Sequence, residues 1–447
     1  MKVLVLGAGL AGLACAAELV DEGVEVTLLE ADRIPGGKAA SWKDGDGATV
    51  ETGLHVWFPH YRHLMDLMKK AGAYDNILWR PTVFTYVLAG GAVGRLRFPD
   101  LPAPFHALAA LLRFEHLGWR DRLSTVLGVG ETVLRGLSYF DRFDDRDFES
   151  WHRSRGLRPR AARRLLAPPA AALAFVDPRR VSAKTLLTWF HHVTRNRESA
   201  RVGFLDGGMH EKMIRPIAAY VRARGGGLRL GARVARIELD GGDPRRPLVT
   251  GVELAGGERL SADAYVSAMP VHALCETLSE AALELPYFAD LRRFDPAPVI
   301  SVQLWLDRKI TDVSDVILTP ECSFAVAADL SNVTPEFRAA GGSMMQVVVA
   351  PADRLIELSD RRLVEVVLAD LRDRFAAARE ARVTKSAVVR TPRSIYRAVP
   401  GLDRYRPCQR SPVANLFLAG DYTRHDFNPS MEGAAASGKL AARALLA

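Results

Sequence analysis

Cysteine is scarce in this 447-residue chain, with only Cys15, Cys275, Cys322 and Cys408, all far apart. No C-x-x-C pair occurs and no histidine stands at zinc spacing. A disulfide framework and a structural zinc site are therefore excluded, and a reducing compartment fits. No run reaches the ~18 to 20 uninterrupted apolar residues that a spanning helix needs, so the chain is expected to be soluble or to lie on a membrane. Lysine is scarce too. Arginine supplies most of the 60 basic residues, which exceed the 52 acidic ones for a net charge of +8. Such a balance suits an anionic membrane surface or nucleic acid. No basic run is interleaved with aromatics on a recognisable nucleic-acid module, so nucleic acid is not expected as a partner. Internal repeats and low-complexity linkers are absent. At 48% hydrophobic and 25% charged residues the chain is globular, not disordered. Its length corresponds to roughly three domain-sized units.

What is present starts at the first residues. Lys2 to Leu6 is a short β-type run. Gly7, Gly9 and Gly12 follow as G-x-G-x-x-G, then a helical stretch, then a second β-type run from Val24 to Glu30. The apolar stretch and the small residues Ala14 to Ala17 have the outline of a secretion signal, but a signal needs neither the second strand nor its terminal acid. The segment is read as folded and retained. Gly7 permits a tight turn, Gly9 lets backbone approach a pyrophosphate, and Gly12 lets the helix pack close to the strand. The helix N-terminus offers free N–H groups to phosphate. Glu30 stands about 18 residues beyond Gly12, where a carboxylate accepts from both ribose hydroxyls and repels a 2′-phosphate. Strand, motif, helix, strand and acid together predict dinucleotide binding.

These residues leave NAD and FAD open. Gly36-Gly37-Lys38 could bring backbone and a countercharge to the phosphates, or be a plain loop. Glu51-Thr52-Gly53-Leu54-His55 leads into Trp57, Phe58 and Tyr61, either core or a wall beside a flat cofactor. The far end of the chain favours FAD. Asn415 to Leu418 reads as a strand, Ala419-Gly420-Asp421 follows, and Ser430 to Ala434 opens an Ala/Gly-rich terminal helix. Asp421 is placed to bond a ribityl chain or diphosphate. The helix start near Met431 can stabilise negative charge on a reduced flavin.

GAGLAGL with Glu30, GGK, ETGLH and the terminal GDYT, SMEGA and SGK segments resemble the flavin-dependent phytoene and ζ-carotene desaturases of plants and cyanobacteria. These belong to the wider flavin amine-oxidase superfamily. The resemblance covers nearly the whole chain. It implies FAD as cofactor, with contacts at Ala11, Glu30, Ala31, Lys38, His55, Val56, Tyr61, Asp421 and Met431. Val234 matches a position that packs on adenine. Arg233 matches an arginine facing the flavin-side pocket, a candidate catalytic and substrate-binding residue, and Pro429 a position near substrate. Pro59 and Asn428-Pro429 depart from the family pattern beside this pocket, which puts the particular polyene in doubt. Glu432 is a candidate stabiliser of developing cationic charge, or a first-turn acid favoured by the helix dipole.

The expected fold is α/β: a Rossmann-type FAD-binding domain, an inserted mixed α+β substrate domain, and a helical subdomain that touches a membrane. The FAD domain is assigned to residues 1–95, 203–280 and 405–447, the helical insert to 96–202, and the β-rich substrate domain to 281–404. The segment PAPFHALAALLRF, with Phe114 and Trp119 beyond it, is a candidate amphipathic face for the bilayer, and Arg158 to Arg164 a basic patch for head groups. The expected activity is desaturation of a hydrophobic isoprenoid polyene by hydride transfer to flavin N5. The resemblance implies a quinone acceptor and a cytoplasmic enzyme held at the inner face of the cell membrane. Rival readings are a hydroxysqualene dehydroxylase-like terpenoid flavoenzyme, a flavin amine oxidase, and a redox-neutral flavin-dependent isomerase.

Overall fold

The computed structural model describes residues 1–81, 83–195, 198–240, 247–338 and 341–447. Its first layer is a five-stranded parallel sheet in the spatial order Leu416–Leu418, Ala264–Ser267, Lys2–Leu6, Glu25–Leu29, Gly227–Arg229. The VLVL run of the central strand is fully buried, as expected where both faces of a parallel sheet are covered. On one face lies the first helix, Leu10–Asp21, and against it packs the last helix, Met431–Leu446. The two approach closely because Gly438 has no side chain: a Cβ there would sit 2.1 Å from the Ala11 carbonyl oxygen. Strands leave Lys2–Leu6 in both directions, so a topological switch point lies just beyond Leu6, where α/β sheets bind ligands.

A small antiparallel sheet, Val234–Leu239, Val249–Leu254 and Arg259–Leu260, is inserted beside this core. The second large layer is a seven-stranded sheet in the order Val383–Thr391, Val299–Leu306, Met344–Val349, Val326–Asp329, Ile317–Leu318, Val83–Val87, Val93–Arg97. Its neighbours are antiparallel except where Ile317–Leu318 meets Val83–Val87. The helix Asp360–Arg374 buries Leu363, Val367 and Leu371, one residue per turn, against it.

Residues 83–97 correct the first boundary. Val83–Val87 and Val93–Arg97 form a hairpin that closes the second sheet, so the break falls before residue 83 and not at 95. The helices Phe105–Arg113, Trp119–Leu134, Phe148–Ser154 and Ala183–Thr194 make the helical lobe. Among the described residues no helix is long and apolar enough to cross a membrane, and no cluster of His, Cys, Asp or Glu is placed to hold a metal.

Candidate flavin site

The site begins where the central strand ends. Gly7 has φ +107°, and a Cβ there would crowd the Ala268 carbonyl at 3.0 Å. At Gly12 a Cβ would collide with the Gly7 carbonyl oxygen at 1.9 Å, so the first helix starts hard against the turn. Gly9 differs: its only neighbour within reach of a Cβ is the Gly36 carbonyl at 3.9 Å. The Ala8 carbonyl accepts from the Gly36 N–H at 2.9 Å, and Gly37, at φ +57°, would place a Cβ 3.4 Å from the Gly9 Cα. Two glycine turns distant in sequence thus form one cradle at a helix N-terminus. The space over Gly9 is where a pyrophosphate would lie and where side chains would intrude.

Glu30 is buried at the end of Glu25–Leu29. One carboxylate oxygen accepts from the Ala8 N–H at 2.8 Å and the other from the Asp32 N–H at 3.0 Å. These bonds aim it beside the cradle and leave lone pairs for ribose hydroxyls. Burial raises its pKa, against the pull of the two backbone donors. Ala31 follows half-buried. The Glu30 carbonyl accepts from the Ala232 N–H at 2.7 Å, which brings buried Val234 to the same end of the groove. Arg233 comes with them. It is exposed, and its carbonyl accepts from the Ala255 N–H at 2.8 Å. The bond from Ala232 thus ties the backbone that carries Arg233 to Glu30.

At the opposite end the last segment folds back. Gly420, at φ +146°, donates its N–H to Ser437 Oγ at 2.8 Å. Asp421 is then held 3.7 Å from the Lys38 ammonium, which ties the terminal segment to the glycine cradle. His425 bridges the loop. Its Nδ1 accepts from the Phe427 N–H at 3.1 Å and its Nε2 lies 3.1 Å from the Asp421 carbonyl, so the proton is on Nε2. Buried Pro429 precedes Ser430, whose hydroxyl accepts from the Gly433 N–H at 3.1 Å and starts the last helix at Met431.

The ETGLH segment crosses between the two sheets. Trp57 and Gly203 exchange both backbone bonds, at 2.9 and 2.8 Å. His55 has a buried Nδ1 without a partner, and burial pulls its pKa down to about 4, so it is a neutral imidazole at physiological pH. Val56 is half-buried beside it, and Tyr61 is buried at the start of the helix Arg62–Lys70. Glu432 proves to be a tertiary helix cap. Its two carboxylate oxygens accept from the His63 and Leu64 N–H groups, each at 2.9 Å. It closes an N-terminus that has no side-chain cap of its own.

FAD fits these residues. The cradle is open above Gly9, the Glu30 carboxylate stands beside it where a ribose could bond, Lys38 could supply a cation to the diphosphate, and His55 Nδ1 has no partner in the protein. Three features escaped the sequence reading. Glu51, read only as part of a motif, is a buried carboxyl whose pKa burial pushes up to about 8. Its one signal was an acid closing the short strand Thr49–Glu51. Phe58, His60, His192 and Phe427 form a column of stacked rings at 5.4, 4.8 and 5.4 Å, drawing on three distant segments. The approach of Gly438 to Ala11 likewise has no local signature.

Comparison with known proteins agrees with this geometry. A family profile described as flavin containing amine oxidoreductase matches residues 10–446. The 15-cis-phytoene desaturase of Synechococcus elongatus is 36% identical over 455 residues, covering 100% of this chain and 96% of its own. The same organism's "Probable zeta-carotene desaturase" is also 36% identical, covering 100% and 98%. The 15-cis-phytoene desaturase of Solanum lycopersicum is 34% identical, covering 100% and 78%. Among solved structures, an oxidoreductase from Methanosarcina mazei superposes with a TM-score of 0.75 at 19% identity, covering all of both chains. Cyclohexylamine oxidase from Brevibacterium oxydans gives 0.69 at 21% identity, covering 99% and 98%. These two bear on the fold alone.

Proposed function

Because this chain belongs to the flavin containing amine oxidoreductases, and among them to the carotene desaturases, we propose that it desaturates a long hydrocarbon polyene of the phytoene or ζ-carotene type. It is an FAD-dependent oxidoreductase. The observation that carries the reading is the full-length likeness to both desaturases, joined to a glycine cradle whose Lys38 stands 3.7 Å from Asp421 of the terminal segment.

FAD, when bound, supplies a two-electron acceptor for the hydrogen removed from an allylic carbon. The chain supplies position and dryness. The Gly9–Gly37 cradle and Lys38 hold the diphosphate, and Glu30, Ala31 and Val234 hold the adenosine. Asp421 and the helix start at Met431 face the flavin end, where a helix N-terminus favours negative charge. Trp57, Phe204 and Phe337 keep water from the reacting carbon. Pro429 borders the substrate.

The substrate reaches this site from a membrane. Of the fourteen exposed large hydrophobic side chains among the described residues, eight fall between Leu101 and Leu134. Phe105, Leu108 and Leu112 recur on one face of the helix Phe105–Arg113, and Trp119, Leu123 and Leu127 on one face of Trp119–Leu134. Trp119 is 68% exposed and Leu134 74%. Exposed Arg113, Arg120, Arg158 and Arg160 stand around them, the composition of a helix pair that lies in the head-group region. The enzyme is thus a peripheral protein at the inner face of the cell membrane, and a membrane quinone reoxidises it.

The test is anaerobic spectrophotometry of FAD-loaded protein in liposomes that carry phytoene or ζ-carotene, followed by a quinone. Bleaching of the flavin by substrate, then a red-shifted polyene and recovery of the oxidised flavin after quinone, is the expected result. A flavin that stays oxidised with both carotenes overturns the substrate assignment.

A further inference from the structure

The loop from Asp421 to Asn428 lies in no helix or strand, so its carbonyl groups need partners from elsewhere. Four of them converge on one buried side chain, Arg406. Its Nη2 donates to the carbonyls of Thr423 at 2.5 Å and Asp421 at 3.4 Å, and its Nη1 to those of His425 at 3.1 Å and Phe427 at 3.4 Å. The same Nη1 meets the Asp403 carboxylate at 3.1 Å. Every second carbonyl of the loop is thus turned inward onto one guanidinium. Between them, the Arg424 carbonyl accepts from Gln409 Nε2 at 2.8 Å, and the Arg424 N–H donates to the Pro407 carbonyl at 2.8 Å. The chain just after Arg406 therefore runs beside the loop that Arg406 gathers.

The chemistry of arginine explains the residue type. A guanidinium presents five N–H donors in one plane, whereas a lysine ammonium is a point charge with three. The four donors on Nη1 and Nη2 are the ones used here. A buried cation is tolerated where a carboxylate and dipoles compensate it. Asp403 supplies that carboxylate, shared with Lys184 at 2.5 Å, and the loop carbonyls supply the dipoles. Against the pull of burial, Arg406 and Lys184 hold the Asp403 carboxyl below its ordinary pKa. Burial, and after it the Arg406 charge, holds the His425 imidazole well below its own, so no second cation enters the loop.

The loop joins the two places assigned above to the flavin. Asp421 opens it, 3.7 Å from the Lys38 ammonium, and Pro429, Ser430 and the helix start at Met431 follow its end. We propose that Arg406 is a positioning residue: its guanidinium sets the path of this loop, and so the spacing of Asp421 and Met431, which one cofactor must meet together. The inference deepens the flavoenzyme reading, on which the roles of Asp421 and Met431 rest. Arg406 acts through backbone carbonyls alone, and its planar fork, more than its charge, does the holding.

The experiment compares the natural full-length chain with Arg406→Lys, which keeps the charge and loses the fork, and Arg406→Met, which loses both. Hydrogen exchange is followed by mass spectrometry in the cofactor-free proteins, and FAD affinity and midpoint potential are then measured. In both variants, peptides covering residues 421–430 are expected to exchange about tenfold faster, while the buried strand Met344–Val349 keeps its rate. FAD affinity is expected to fall about tenfold. With the helix start at Met431 displaced, the flavin's preference for its reduced form falls by the same factor, a midpoint potential about 30 mV lower. An Arg406→Lys protein that matches the natural one in exchange and affinity overturns the proposal, because charge would then suffice. So do variants that melt lower yet keep the loop's exchange, the FAD affinity and the potential, since Arg406 would then serve the core alone. A natural chain that takes up no flavin fails the earlier reading, and the loop's exchange in the cofactor-free variants then decides this one. Should neither variant fold, the natural chain decides it: slow exchange at Thr423, Arg424 and Phe427 supports the held loop, and exchange as fast as in an unstructured peptide overturns it.

Discussion

Gly438 lies so close to Ala11 that a single methyl group on it would occupy the space of the Ala11 carbonyl oxygen, 2.1 Å away. The terminal helix is thereby seated directly on the helix whose N-terminus forms the phosphate cradle. Gly438→Ala forces the two apart. Overpacking of this kind costs about 1–3 kcal/mol, so a lowered unfolding temperature is expected by differential scanning fluorimetry. Displacement of Asp421 and Met431 should also weaken FAD retention on gel filtration. An unchanged melting temperature with full flavin content would contradict it.

Gly9→Ala separates folding from cofactor binding. A Cβ at Gly9 meets nothing closer than 3.9 Å in the protein, so the unliganded chain should melt as before. The same methyl enters the space of the pyrophosphate. FAD affinity, read by fluorescence titration, is expected to fall about 100-fold, equivalent to about 2.7 kcal/mol. Gly12→Ala, which collides with Gly7 at 1.9 Å, should instead fail to fold, and the contrast between the two is the test.

Acid should destabilise the protein before alkali does. Ten of its eleven histidines are held below their ordinary pKa, chiefly by burial. The unfolded chain binds more protons than the folded one between about pH 4, the depressed value of His55, and the ordinary 6.5, so stability rises with pH across that window. Glu51 and Glu432 act with the opposite sign. Their pKa values are pushed up to about 8 and about 7, so the folded state holds the extra protons and stability falls as pH rises toward 8. A maximum near neutrality follows. His60→Phe, which replaces a buried imidazole stacked on His192, should flatten the acid side in thermal melts from pH 4 to 8. An acid side as steep as before would count against the argument.

Trp119→Ser with Leu127→Ser removes two exposed apolar side chains from the helix Trp119–Leu134, the face proposed above to meet a membrane. Neither is part of the core, so the melting temperature should hold within a few degrees. Cosedimentation with liposomes is expected to drop about tenfold. Loss of activity on polyene in liposomes, with binding of FAD intact, would place the effect on access to substrate.

The parts of the fold that were legible are those with local signatures. Gly7, Gly9 and Gly12 between two β-type runs, with Glu30 closing the second, can form only a few structures, and so can Ser430 ahead of an Ala/Gly-rich helix. Val83–Val87 and Val93–Arg97 show why the rest was not. As a hairpin they have no feature that names their sheet. They join strands more than 200 residues later, through the pairing of Thr85 with Ile317. Arg233 has no local signature for a related reason: only the bond from Ala232 to Glu30 ties its backbone to the first sheet. Glu432 looked chemical because it is an acid near a flavin, yet its partners, His63 and Leu64, lie 369 and 368 residues earlier.

The edge strand Leu416–Leu418 joins a sheet whose other members lie between residues 2 and 267. During synthesis the first four strands leave the ribosome long before the fifth. The nascent chain therefore exposes the hydrogen-bonding edge of Ala264–Ser267 while some 150 further residues are made. The cofactor groove closes only when Asp421 and the last helix arrive. Until those segments are in place the chain holds only half a binding site.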